Sequence, residues 1–172
     1  MTVLDVTPCT GTHSGHNISS GAQNFLGVEI TSGNALIGTS LTSLQVALGK
    51  ENSGTTGNVT AYHQRGSTIT QSTTTIAYSA IAVWSLPNPM YTFAFSITVE
   101  DGDYFWISSD NLSSNRCGVD YYPTCPNYSG FDSKKKSGTG TIDTLAGQLR
   151  SIWTTSGTTS SGTLLPPPVA WI

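Results

Sequence analysis

The stretch that most restricts the fold is MYTFAFSITVEDGDYFWIS, residues 90–108. Phe93, Phe95, Ile97 and Val99 alternate with Ala94, Ser96 and Thr98, the period of two of a half-buried strand. Glu100-Asp101-Gly102-Asp103 breaks the pattern with residues suited to turn dihedrals, and Tyr104-Phe105-Trp106-Ile107 resumes it as an apolar run rich in strand-favouring aromatics. The pattern predicts a central β-hairpin. Its apolar face, Phe93, Phe95, Ile97 and Val99, is expected to share a core with Leu44, Val46 and Leu48 of a second alternating segment.

Similar segments recur along the chain. Residues 3–6, 24–30, 41–48, 58–64 and 145–154 read as strands, whereas 69–75 and 76–84 do not settle on a period. Pro87 and Pro89 interrupt ladder pairing and mark a crossover between sheets. Ser and Thr exceed a quarter of the 172 residues, Gly supplies 18, and 7 Lys/Arg with 10 Asp/Glu amount to 10% charged against the usual quarter. Many short strands joined by small polar turns account for that composition. The fold class expected is all-β, an antiparallel β-sandwich of jelly-roll type. An N-terminal strand and arm occupies residues 1–21, and one sandwich domain occupies 22–172. That domain contains a long irregular loop at 110–141 and, beyond Pro166-Pro167-Pro168, a last edge strand at 169–172.

Three segments carry a resemblance: LTSLQVALGK at 41–50, SGTTGNVTAY at 53–62 and DGDYFWISS at 101–109. Together they resemble jelly-roll, carbohydrate-binding-like β-sandwich modules of microbial surface and virus-associated proteins. The resemblance covers roughly residues 40 to 110 and rests on turn glycines and alternating apolar positions. It implies a jelly-roll architecture, commonly without an assigned activity. The cysteine-containing loop and the triple proline depart from it.

No set of residues points to catalysis. Cys9, His13 and His16 lack a fourth ligand for zinc and read as a polar arm. Glu100, Asp101 and Asp103 lack the fuller ligand series of a calcium loop and read as a charged turn. His63 has no nucleophile-elbow motif to serve, so the chain is expected not to be an enzyme and to need no metal or cofactor. Lys134-Lys135-Lys136 reads as a solvated loop. Tyr121, Tyr122, Tyr128 and Phe131 are the candidate contact residues, placed to stack on sugar rings, to anchor a neighbouring subunit, or to cover the core beneath their loop. Cys117 and Cys125 close a short loop and are the candidate disulfide, with Cys9 left over.

A formal charge of −3 speaks against nucleic acid as a partner, and no apolar run is long enough for a spanning helix, so no membrane insertion is expected. The Met1 start without a basic-then-apolar leader suits a virion component released by lysis. The first functional expectation is therefore a structural protein, a repeated subunit of a virion (capsid, decoration or appendage) or other extracellular assembly. Its partners would be copies of itself or other structural subunits. The alternative is a carbohydrate-binding module with a glycan as partner.

Overall fold

The computed structural model describes residues 1–6, 14–18, 24–51, 56–110, 117–137 and 140–156. They form β1 (Thr2–Val6), β2 (Ser14–Asn17), β3 (Asn24–Ile30), β4 (Ser40–Lys50), β5 (Asn58–Arg65), β6 (Thr68–Ala77), β7 (Met90–Thr98), β8 (Tyr104–Ser109), β9 (Cys117–Tyr122), β10 (Phe131–Ser137), β11 (Asp143–Thr144), β12 (Gln148–Leu149) and β13 (Ser151–Ser156). One sheet runs β1-β13-β4-β9-β12, with β2 on β9 and β7 on β4, and the other runs β11-β10-β3-β8-β5-β6. Pairing between these strands is antiparallel throughout, so the fold is the expected antiparallel β-sandwich. The described parts of the expected arm belong to the sheets. β1 pairs with β13 from Thr2↔Thr155 to Val6↔Ser151, and β2 pairs with β9.

The core lies between the sheets. Leu44, Val46, Leu48, Phe93, Phe95 and Val99 are buried in it as the alternation predicts, while Ile97 packs at its margin and Ser96 and Thr98 are exposed. Aromatic rings tie the layers together: Phe105 of β8 meets Phe95 of β7 edge-on at 5.7 Å and Trp153 of β13 at 5.0 Å. A void of about 20 Å³ remains beside Val28, Val46 and Trp153, far smaller than a ligand chamber.

The central hairpin is not formed. β7 pairs with β4 in one sheet, whereas β8 pairs with β3 and β5 in the other, so residues 99–103 make an arch from sheet to sheet. The turn residues are those expected, including Gly102 at φ +80°, but the ladder between the two strands is absent. A carboxylate holds the arch. Asp103 is fully buried; its Oδ1 accepts from Arg65 Nε at 2.7 Å, and its Oδ2 accepts from Arg65 Nη2 at 2.8 Å and from the Glu100 amide at 2.9 Å. Arg65 also donates to the Thr98 carbonyl at 2.7 Å and to Glu100 Oε1 at 2.6 Å, so one side chain of β5 grips both limbs of the arch.

Two strands occupy the expected 110–141 loop. All six residues of β9 are buried, which erases the alternation that would have revealed the strand. Val119 and Tyr121 belong to the core, and Asp120, on the other parity, accepts from the Asn88 amide at 3.0 Å and from Asn88 Nδ2 at 2.5 Å. The Pro-flanked segment 81–89 thus packs on β9 through a satisfied polar pair. Residues 76–84 resolve into the end of β6, a 3₁₀ turn at Tyr78–Ala80 and an extended run on β4, where buried Lys50 donates to the Tyr78 carbonyl at 3.2 Å. β10 places its lysine triplet in a strand, although lysine is depleted in strands.

Burial alone would raise the Asp103 carboxyl, but Arg65 and the Glu100 amide outweigh it and hold it below the usual carboxylate range. A depressed carboxyl stabilises the fold above its unfolded value, about 3.9, and that contribution is lost as pH falls through the folded value. Asp103→Asn should cost about 3 kcal/mol at neutral pH, the lower end for a broken buried pair because Arg65 can turn to water. Urea melts at descending pH check this. The wild type should lose stability below about pH 4, and the variant should lose less over the same interval.

Candidate functional site

Because β8 lies within a sheet, its neighbouring residues face opposite ways. Phe105 and Ile107 join the core, so Tyr104 and Trp106 emerge on the outer side of the six-stranded sheet. Strand register sets their neighbours. Trp106 pairs with Gly27 of β3 on one side and Tyr62 of β5 on the other, while Tyr104 lies between Glu29 and Gln64. Gly27 is required there, since a Cβ would collide with the Phe105 carbonyl and press on the Trp106 ring.

The result is an aromatic cluster on an outer sheet face. Tyr104 and Trp106 are parallel, 2° apart with centroids at 5.4 Å, and Phe25 meets Trp106 at 6.4 Å and Tyr62 at 5.7 Å, both edge-on. Trp106 is 0% exposed, although among the described residues no further strand layer lies on that face; Phe25, Tyr62 and Tyr104 are half-buried around it. Polar groups are matched to the rings. Trp106 Nε1 donates to Gln64 Oε1 at 3.0 Å, and Lys136 Nζ donates to the same oxygen at 2.9 Å while lying 4.8 Å from the Phe25 centroid and 4.9 Å from that of Trp106. The Tyr104 hydroxyl donates to Glu29 Oε1 at 2.9 Å, and Lys134 pairs with Glu29 Oε2 at 3.0 Å. Burial, then the Glu29 carboxylate, pushes the Tyr104 phenol up and keeps it a donor; burial pulls the Lys136 ammonium down.

The expected contact residues are not gathered into a site. Tyr121, Tyr122 and Phe131 are buried, Phe131 against Trp153 at 5.3 Å, and only Tyr128 of the four is exposed, at 39%. Tyr121 and Phe131 belong to the core, Tyr122 is buried outside it, and Tyr128 packs against Phe131 at 5.9 Å. The expected bond between Cys117 and Cys125 is not made: Cys125 is disulfide-bonded, whereas Cys117 keeps a buried thiol at the start of β9. Cys9 and His13 lie outside the described residues, as does the side chain of His16. Of the acidic turn, Asp103 is committed to Arg65, and among the described residues no group of three or more His, Cys, Asp or Glu side chains is gathered as for a metal. His63 points inward beside Phe105, its Nε2 3.1 Å from Asp103 Oδ1 but not aligned as a hydrogen bond. The lysine triplet divides between a paired Lys134, an exposed Lys135 and the ring-covering Lys136.

In the sequence Tyr104-Phe105-Trp106-Ile107 reads as a single apolar run, which conceals the outer cluster. Four apolar residues in one strand must serve both faces, and that parity was the available signal. No family model, curated protein or solved structure matches the chain.

Burial, chiefly, pushes the Cys117 thiol up to about 12. Native protein should therefore leave Cys117 unmodified by iodoacetamide at mildly alkaline pH, and unfolding should expose it. Peptide mapping without reduction is expected to find the Cys117 peptide as a thiol and the Cys125 peptide cross-linked.

Proposed function

We propose that the chain is a non-enzymatic carbohydrate-binding β-sandwich whose ligand lies across the outer face of the six-stranded sheet. The observation that supports this reading is the cluster of Phe25, Tyr62, Tyr104 and Trp106 on a face that an antiparallel sandwich normally gives to polar side chains. A sugar ring has apolar C–H faces and a rim of hydroxyls. Half-buried Tyr and Phe rings offer the first a flat apolar surface, and Gln64, Glu29 and the β10 lysines offer the second donors and acceptors within the same area. The resemblance of residues 40 to 110 to carbohydrate-binding-like modules agrees with this reading. So does a low-charge, Ser/Thr/Gly-rich composition, which suits a virion or other extracellular surface.

A second reading is favoured by one edge of the other sheet. Among the described residues β1 has β13 as its one ladder partner, and Val3 on it is 58% exposed. An open edge strand is a template for pairing with another chain, as a repeated structural subunit requires. The N-terminal strand then acts as part of the sheet and not as a free arm.

Glycan-array screening of the monomer tests the first reading, followed by titration of the best ligand. Tyr62→Ala and Phe25→Ala should each weaken binding about tenfold, ~1.4 kcal/mol, while the protein stays cooperatively folded with a lowered melting temperature, since both rings pack in the cluster. Undiminished binding by both variants would remove the outer face from the mechanism. For the second reading, Val3→Lys should convert an assembled species to monomer in sedimentation velocity while leaving the fold intact. A native protein that is monomeric at high concentration rejects it.

A further inference from the structure

Resting on the glycan reading above, we infer that the sugar bound across the outer face carries an anionic group, carboxylate or sulfate, and that Lys136 is the residue that selects it. The lysines of β10 differ in their partners. Lys134 is neutralised, with Glu29 Oε2 at 3.0 Å and Asp132 Oδ2 at 3.7 Å, and its Nζ also donates to Thr144 Oγ1 at 3.1 Å. Lys136 has a single amide acceptor, Gln64 Oε1, and two aromatic faces, and among the described residues no carboxylate reaches it. Gln64 Oε1 is at the same time held by Trp106 Nε1, so the ammonium is fixed at the centre of the aromatic cluster before any ligand arrives.

That arrangement is electrostatically incomplete. Half-buried, Lys136 has given up part of its hydration, and the ring quadrupoles and one neutral oxygen return less than a full counter-charge would. A neutral sugar stacked on Tyr62 or Phe25 adds another hydroxyl. An anionic substituent adds the missing charge at the point where solvent is already partly excluded and Coulomb attraction is strongest. Lysine acts as a point charge and does not by itself distinguish carboxylate from sulfate, so the class is an anionic sugar, with the acid group borne on the ring that lies over Trp106.

The test is calorimetric titration with four probes: tetragalacturonate, a sulfated galactotetraose, neutral galactotetraose and an oligoacrylate that has charge without sugar. At low salt at least one anionic tetramer should bind about tenfold or more tighter than the neutral one, and oligoacrylate should bind more weakly than that tetramer. Lys136→Gln should abolish the preference by weakening the anionic arm much more than the neutral one, whereas Lys136→Arg should keep it. Raising ionic strength from roughly 0.05 M to roughly 0.5 M should weaken the anionic arm alone, a readout that needs no variant to fold. Equal affinity for neutral and anionic tetramers, a preference retained by Lys136→Gln, or indifference to salt overturns the inference and leaves the glycan reading standing. Binding of oligoacrylate as tight as the sugars reduces the site to non-specific charge and overturns it as well. Failure of every sugar to bind overturns both together.

Discussion

The buried carboxylate of Asp103 decides how the chain changes sheets. Arg65 binds both of its oxygens and continues to the Thr98 carbonyl, so the end of β7, the arch and the start of β8 are fixed relative to β5. Without that grip a five-residue turn between two apolar strands would more simply close a hairpin. With it, β7 stays on β4 and β8 inserts between β3 and β5, and the two strands face each other across the core through Phe95 and Phe105. An ion pair with one fully buried partner is weak evidence of net stabilisation, because desolvation of Asp103 offsets the attraction and Arg65 stays 41% exposed. Its contribution here is selective: the alternative pairing would strand the same carboxylate without its guanidinium.

The outer aromatic face follows from that insertion. A central strand of a six-stranded sheet has neighbours on both sides, so the outward residues of β8 are flanked by those of β3 and β5 and become a cluster instead of isolated exposures. Gly27 opens the space beside Trp106, Gln64 satisfies its indole nitrogen, and Lys136 holds its ammonium over the ring. The same residues would be scattered if β8 were an edge strand. Packing thus makes a surface with interior chemistry, which is unusual for the solvated side of a sandwich.

Local alternation was enough to assign the strand content and the core face of β4 and β7, because Leu44, Val46, Leu48, Phe93 and Phe95 differ from their neighbours in polarity. It could not assign partners. Glu100 to Asp103 suits a hairpin turn and an arch equally, and the choice lies in contacts with Arg65, which is 35 to 38 residues away. Nor could it find strands covered on both sides or stocked with atypical residues. β9 is buried throughout and so shows no period, while β10 contains three successive lysines, a residue type depleted in strands. Tyr121, Tyr122 and Phe131 looked like loop residues only because their strands were hidden, and once paired they point into the core or under cover.

Scarcity of charge gives the remaining ions their meaning. With 17 charged side chains in 172 residues, most of this surface is neutral Ser, Thr and Gly, and an ion placed in a half-buried position is not the background of a typical solvated face. On the neighbouring strands β10 and β3 the pattern is consistent: Glu29 is matched to Lys134 and the Tyr104 hydroxyl. Lys136 stands out against that economy, held by an amide over two rings and, among the described residues, without the carboxylate given to its neighbour two residues earlier. If its role were only to cover Trp106, an apolar side chain would do so without desolvating an ammonium. The charge is therefore the part of Lys136 that packing does not explain, and an anion from outside the chain is what its position accommodates.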